Sequence, residues 1–221
     1  VKYIRKLKSK KERKKRRQFF VDRLQAIIMA MNAGYVPQMV LYSKSFFMDR
    51  KSMKILNEFI NRRIPSFEIH PDICKSLSER DRPSGLIAVY NEINSTYTGL
   101  RPSENSIVFI LDRIQCPANA GTLIRLADSV NADFLIMVEP CVDQYDSRTI
   151  DASMGSLFNV PVARIEQFEI QRLILFLKNW KYLMVGTEVH EGKLWFDLNW
   201  GSRTALVLGN EKKGISSELK H

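Results

Sequence analysis

The sequence predicts an α/β protein in two parts: a small N-terminal α/β domain, then a larger, mainly parallel sheet with helices on both faces. Three observations carry this. Ile107-Val-Phe-Ile-Leu111 and Phe134-Leu-Ile-Met-Val138 are unbroken apolar runs separated by a helical pattern, as in strands covered on both sides. Helix and strand patterns also alternate before residues 92–105, a stretch that loses periodicity and gathers Asn, Ser, Thr, Gly and Pro. Finally, two polar motifs, Asn119-Ala-Gly121-Thr-Leu-Ile-Arg125 and Gly209-Asn-Glu-Lys-Lys-Gly214, each follow an apolar run, at the edge where open α/β sheets bind ligands.

Taken in order, the basic residues around Ile4 and Leu7 predict a helix running toward Arg17, after which Phe19-Phe20-Val21 reads as buried. Asp22 is the expected N-cap of a helix carrying Leu24, Ile27, Ile28 and Met31, ended by Asn32-Ala-Gly34. Met39 to Tyr42 reads as a strand, and a helix over about 49–62 stops before Pro65. Short strands at 67–69 and 86–89 flank a helix opened by Pro71. The first domain is therefore assigned to 1–91, the linker to 92–105 and the second domain to 106–221. In the second domain, helices are expected over about 119–130 and 166–179, and strands over 158–162, 182–185 and 205–208. Asn94-Ser-Thr96 matches a glycosylation sequon, read here as chance.

Charge is strongly localised. Residues 1–17 hold eleven of the 34 Lys and Arg and one of the 24 acids, Glu12, so the remaining 204 residues carry 23 of each sign. The whole net charge of +10 sits at one end. Such a cluster attracts polyphosphate by counterion release, so RNA is the expected partner, with Lys10, Lys11, Arg13, Lys14, Arg16 and Arg17 as contacts. A solvated helix end is the alternative. The segment is too acid-tolerant and Ser-poor for a transit peptide and lacks the apolar core of a secretory signal. No apolar run approaches the roughly 18 residues of a membrane span. Three scattered cysteines without a CxxC pair suggest neither a disulfide framework nor a zinc site, and point to a reducing cytoplasm.

On the helix after the first motif, Leu123, Ala127 and Val130 define the expected core face, from which Arg125 lies about 160° away. It points to bulk water or into a cleft. Asn119 is read as a helix cap or a site residue, and Gly121 marks a close approach to the backbone. The second motif suits a ligand-holding loop or a tight turn. It is not a phosphate-cradling P-loop, since Ile215 stands where the lysine is required, and no GxGxxG occurs. A nucleotide hydrolase and a dinucleotide-dependent dehydrogenase are thereby disfavoured.

Leu111-Asp-Arg-Ile-Gln-Cys-Pro-Ala-Asn119-Ala-Gly121-Thr-Leu-Ile-Arg125-Leu-Ala127 resembles the first motif of the SpoU/TrmH group of SPOUT RNA methyltransferases. Leu206-Val-Leu-Gly209-Asn-Glu211-Lys-Lys-Gly214-Ile-Ser resembles the second, and Ala152 to Val162 the segment between them. Residues 1–91 resemble the substrate-binding domain that often precedes the catalytic one. The family's third motif, an Ile-Pro-Met-like strand start and a Ser-Leu-Asn helix, does not occur before His221; Ser216 to Leu219 reads as the start of a helix, and a longer natural chain is expected.

The resemblance implies methyl transfer from S-adenosylmethionine to a ribose 2′-hydroxyl, commonly in ribosomal RNA, without a metal, on a homodimeric fold with a C-terminal trefoil knot. By the same resemblance Arg125 assists activation of the hydroxyl, Asn119 shapes the site and Glu211 orients polar groups. Thr187, Leu208, Gly209, Asn210 and Gly214 would line the cofactor pocket. The alternatives are a non-catalytic RNA-binding or ribosome-assembly protein on this fold, and a base- or tRNA-specific relative. His70, His190 and His221 are read as structural or exposed, and Trp195, Phe196 and Trp200 as core or dimer packing.

Overall fold

The computed structural model describes residues 1–48, 50–93, 95–187 and 192–220. His190, His221 and Asn94 of the sequon fall outside the described residues. The chain forms two compact units, Val1–Ile93 with Asp143–Asn159, and Asn94–Val142 with Val160–His221.

The first unit is a four-stranded sheet in the order β1 (Gln18–Val21), β4 (Leu86–Asn91), β2 (Met39–Tyr42), β3 (Ser66–Glu68), with β2 and β3 parallel. The basic N-terminus is two helices, α1 (Lys2–Lys6) and α2 (Lys10–Arg16), where the sequence predicts one. The chain breaks at Leu7 because that side chain and Ile4 are buried against Leu77 and Val89, a demand one straight helix would not meet. Helix α3 (Leu24–Asn32) is capped at Arg23, whereas Asp22 is buried and accepts a hydrogen bond from Ser78 Oγ at 2.6 Å. Helices α4 (Arg50–Asn61) and α5 (Pro71–Leu77) complete the expected set.

Asp143–Asn159 is the departure from the expected domain boundaries. This segment, α7 (Ser147–Ser153) with its flanks, stacks Tyr145 on Phe19 at 4.2 Å between ring centroids and sets Phe158 5.3 Å from Tyr90. Phe158 is therefore part of the first unit's aromatic core and ends a 3-10 turn, where the sequence reading begins a strand. Gly155, with φ of +100°, lies so near α3 that a Cβ would come within 2.9 Å of Ala26 Cα.

The second unit is a wholly parallel sheet in the order β7 (Val162–Ile165), β6 (Phe134–Val138), β5 (Ser106–Asp112), β9 (Arg203–Leu208), β8 (Leu183–Gly186). From β5 to β6 the chain moves one way along the sheet, and from β7 to β8 the other. Right-handed crossovers therefore put α6 (Pro117–Ser129) and α8 (Ile170–Asn179) on opposite faces. Leu173, Ile174 and Leu177 of α8 pack on Val108, Ile110, Ile136 and Val207. Tyr97, from the expected linker, joins this core edge-on to Phe176 at 5.3 Å. No helix of the described residues is long and apolar enough to cross a membrane.

Candidate active site

The loops leaving β5 and β9, neighbouring strands, meet at the carboxyl edge of the second unit's sheet. Asp112 ends β5 fully buried. Its carboxylate accepts from Ser216 N at 2.6 Å and from Arg113 Nε at 2.9 Å, so one side chain holds both loops. Arg113 adopts φ of 58° and reaches the Gly214 carbonyl at 3.4 Å. The one sequence signal for Asp112 is an acid closing an apolar run, which does not by itself distinguish a loop clamp from an ordinary strand end.

The second motif folds as a closed loop. Asn210 N donates to Gly214 O at 3.1 Å and Gly214 N returns a bond to Asn210 O at 2.9 Å. The Asn210 side chain is spent inside this loop: Oδ1 accepts from Lys212 N and Lys213 N, both at 3.0 Å, and Nδ2 donates to Arg113 O at 2.8 Å. Gly209 has no room for a side chain, since a Cβ would lie 2.3 Å from Gly214 C and 2.4 Å from Ile215 N. Gly214 needs its φ of +66° to close the turn.

Glu211 joins the two motifs. Its carboxylate accepts from Asn119 Nδ2 at 3.0 Å, Cys116 N at 3.2 Å and Gln115 N at 3.3 Å. Cys116 is the N-cap of α6 and supplies no side-chain cap, so an acid from ninety-odd residues later serves the helix start, where negative charge is favoured. Slight burial pushes the Glu211 carboxyl up, but its own backbone N–H, Asn119, Cys116 and Gln115 outweigh that and hold it below the usual range. Asn119 is thus not the cap, as one sequence reading had it. It stands in the first turn with its amide turned to Glu211.

Arg125 lies six residues further along α6, about 9 Å along the axis and about 120° around it from Asn119. It is exposed and, among the described residues, forms no hydrogen bond or ion pair with the Glu211 cluster. The core face of α6 is Ala120, Gly121, Ile124 and Ala127. It is rotated by about one residue from expectation, which leaves Val130 and Leu126 exposed at 42% and 44%. Gly121 is buried, as a close packing position requires.

Thr187 follows β8 and donates from its N–H to Val207 O at 3.0 Å, at the same edge as half-buried Leu208 and Gly209. A Cβ on Gly186 would meet Ile215 Cδ1 at 2.8 Å. Glycines 186 and 209 thus let Ile215 and the Gly214–Ile215 main chain close onto this edge, which leaves mainly backbone groups and apolar surface there, the kind of lining that suits a flat, largely apolar ring system. Beside it opens a cleft of ≈ 660 Å³ lined by Gln115, Pro140, Gln167, Lys212 and Lys213. Among the described residues no group of three or more His, Cys, Asp or Glu could hold a metal ion.

Residues 106–221, more than half of the chain, match the model of the SpoU rRNA Methylase family. The chain belongs to that family. Residues 1–88 match the MRM3-like substrate binding domain. The SpoU chain is 26% identical over 219 residues to a 23S rRNA (uridine(2479)-2'-O)-methyltransferase of Streptomyces viridochromogenes, covering 96% of this chain and 74% of that protein. It is 24% identical to a 23S rRNA (guanosine(2553)-2'-O)-methyltransferase of Bacillus subtilis, covering 99% and 82%. Among solved structures it resembles an rRNA methyltransferase from Sinorhizobium meliloti with a TM-score of 0.86 at 26% identity, over 99% of this chain and 81% of that one. The AdoMet-bound form gives 0.83 at 25%, over 99% and 80%.

In the first unit the structure corrects one expected RNA contact of this SpoU protein. Arg13 is 4% exposed, paired to Asp143 at 2.7 Å, and donates to the Leu7 and Lys8 carbonyls. A guanidinium buried and paired in this way is not offered to phosphate. Arg16 is half-buried, bonded to Glu12 and seated over the Tyr3 ring. Lys10, Lys11, Lys14 and Arg17 are exposed.

Proposed function

We propose that the protein is an S-adenosylmethionine-dependent RNA methyltransferase that methylates a ribose 2′-hydroxyl, most naturally in ribosomal RNA. The observation that carries it is the Asn119–Glu211 bond, which makes one site of both family motifs. The relatives' activities agree with this reading. When bound, the cofactor supplies an activated methyl on a sulfonium.

The rest is work for the chain. Leu208, Gly209, Gly214 and Thr187 line the cofactor's side of the site, with Asn210 acting through the loop it organises. Glu211 fixes the start of α6 and Asn119. Arg125 grips the RNA and stabilises charge developing on the attacking oxygen; a guanidinium stays protonated and so cannot be the base. Its exposure favours a homodimer in which Arg125 of one copy completes the other copy's site. Leu126, Val130 and Trp200 form an exposed apolar surface suited to such a contact. Lys10, Lys11, Lys14, Arg17 and, at the margin, Arg16 hold RNA by charge. A cytoplasmic location is in keeping with the 23S rRNA named for the bacterial relatives.

Titration calorimetry with S-adenosylmethionine and transfer of a labelled methyl to transcribed 23S rRNA test the reading together. Arg125→Ala is expected to bind cofactor normally and lose roughly a hundredfold or more in rate. Unchanged turnover would remove Arg125 from the mechanism. Absence of both binding and transfer in the wild type would favour the non-catalytic RNA-binding reading.

A further inference from the structure

Phe168 is 83% exposed, the second-highest exposure of any large apolar residue among those described. It sits in a one-turn 3-10 helix (Gln167–Glu169) after β7, at the sheet's carboxyl edge. The preceding residue, Gln167, lines the cleft with Lys212 and Lys213. The turn is rigid. Glu166 and Glu169 form a reciprocal capping box, with Glu166 N bonded to the Glu169 carboxylate at 2.8 Å. The backbone that carries the ring is therefore fixed at this edge, and the ring projects into solvent.

We propose that Phe168 is a stacking platform for an unpaired base of the RNA substrate, next to a backbone phosphate held by Lys212 and Lys213. This rests on the functional reading above and extends it to substrate positioning. The two lysines are exposed and, among the described residues, neither side chain has a hydrogen-bond or ion-pair partner; their backbone N–H groups are held by Asn210. Glu166 and Glu169 beside the ring repel phosphate, so the backbone is drawn to the lysines and a neutral base is left for the ring. Burial of Phe168 under a protein partner would instead desolvate both carboxylates at a penalty. A stacked base covers one face of the ring and leaves them wet. Sequence-specific RNA recognition commonly splays a base onto an aromatic side chain in this way.

The test uses the intact protein with transcribed large-subunit rRNA lacking the modification. Filter binding, single-turnover methyl transfer, cofactor calorimetry and sedimentation are measured together. Phe168→Ala and Phe168→Leu are each expected to weaken RNA binding roughly tenfold, whereas Phe168→Trp retains it. Cofactor affinity and sedimentation should be unchanged in all three. Lys212→Ala with Lys213→Ala should flatten the salt dependence of binding by about one to two units of slope. Full affinity in Phe168→Ala, or wild-type affinity in Phe168→Leu, would overturn stacking, and a changed sedimentation coefficient would make the ring a subunit contact. A wild type that neither binds cofactor nor transfers methyl would sink the enzymatic reading instead, while the RNA affinities still decide the platform.

Discussion

Glu211 receives donors from Gln115, Cys116 and Asn119, and this convergence gives it a pH signature. A carboxyl whose pKa is depressed on folding stabilises above its unfolded value and loses that contribution as pH falls through the folded one. The tie between the loop and α6 should therefore persist at neutral pH and fail below the ordinary carboxylate range. Glu211→Gln places an amide donor against backbone donors. We expect hydrogen exchange at Asn210 to Gly214 to speed up at pH 7 and lose its acid dependence; protection equal to wild type would count against the tie. That Asn119 and Glu211 belong to one cluster was not legible from spacing alone, since a helix cap and a tight turn explain each motif separately; the bond between them is what joins the two. The burial of Arg13 was not legible either, since its partner, Asp143, lies 130 positions away. Cys74 and Cys141 are pushed up to about 11 by burial, which keeps them protonated as inert thiols.

At the scale of elements, periodicity located most strands and the long helices but not their caps, and it put a strand at 158–162 where β7 runs Val162–Ile165. Helix α6 starts at Pro117, as a proline in the first turn allows, yet Asn119 drew the start two residues late because its side chain is a good cap in isolation. Core packing of Ile124 and Ala127 then turned the helix by about one residue from the face read at Leu123 and Val130. The loop after β9 is constrained more tightly than its composition suggests. Gly209→Ala would force a Cβ into the Gly214–Ile215 backbone, which cannot yield as a flexible side chain would. Overpacking of this kind costs about 1 to 3 kcal/mol, a fall in Tm of roughly 2 to 4 °C per kcal/mol for this size. Cofactor affinity should fall with it. A variant of unchanged Tm and affinity would show that the loop has another packing.

For the molecule as a whole, the β-α-β order and the break near residue 92 foretold two α/β bodies, and the parallel sheet follows. The return of Asp143–Asn159 to the first unit was not legible, because a short helix between strands of one sheet looks like an ordinary crossover. What decides its place is side-chain partners: Tyr145 on Phe19, Phe158 near Tyr90, Arg13 with Asp143 and Arg23 with Asp151 at 2.9 Å. Tyr145 also accepts from Ile93 N at 2.8 Å and donates to Ile93 O at 3.0 Å. Burial pushes this phenol up to about 12, so it keeps the proton that lets it do both. Residues 1–93 alone would lose Tyr145 and Phe158, two of the three aromatic partners of Phe19, and leave Arg13 without its carboxylate. We expect that fragment to be unfolded or molten by near-ultraviolet circular dichroism, and the same fragment fused through a flexible linker to 143–159 to unfold cooperatively. Tyr145→Ala in the intact chain should remove about 3 to 5 kcal/mol from the first unit. A cooperative, native-like 1–93 would mean that the inserted helix decorates a finished core instead of completing it.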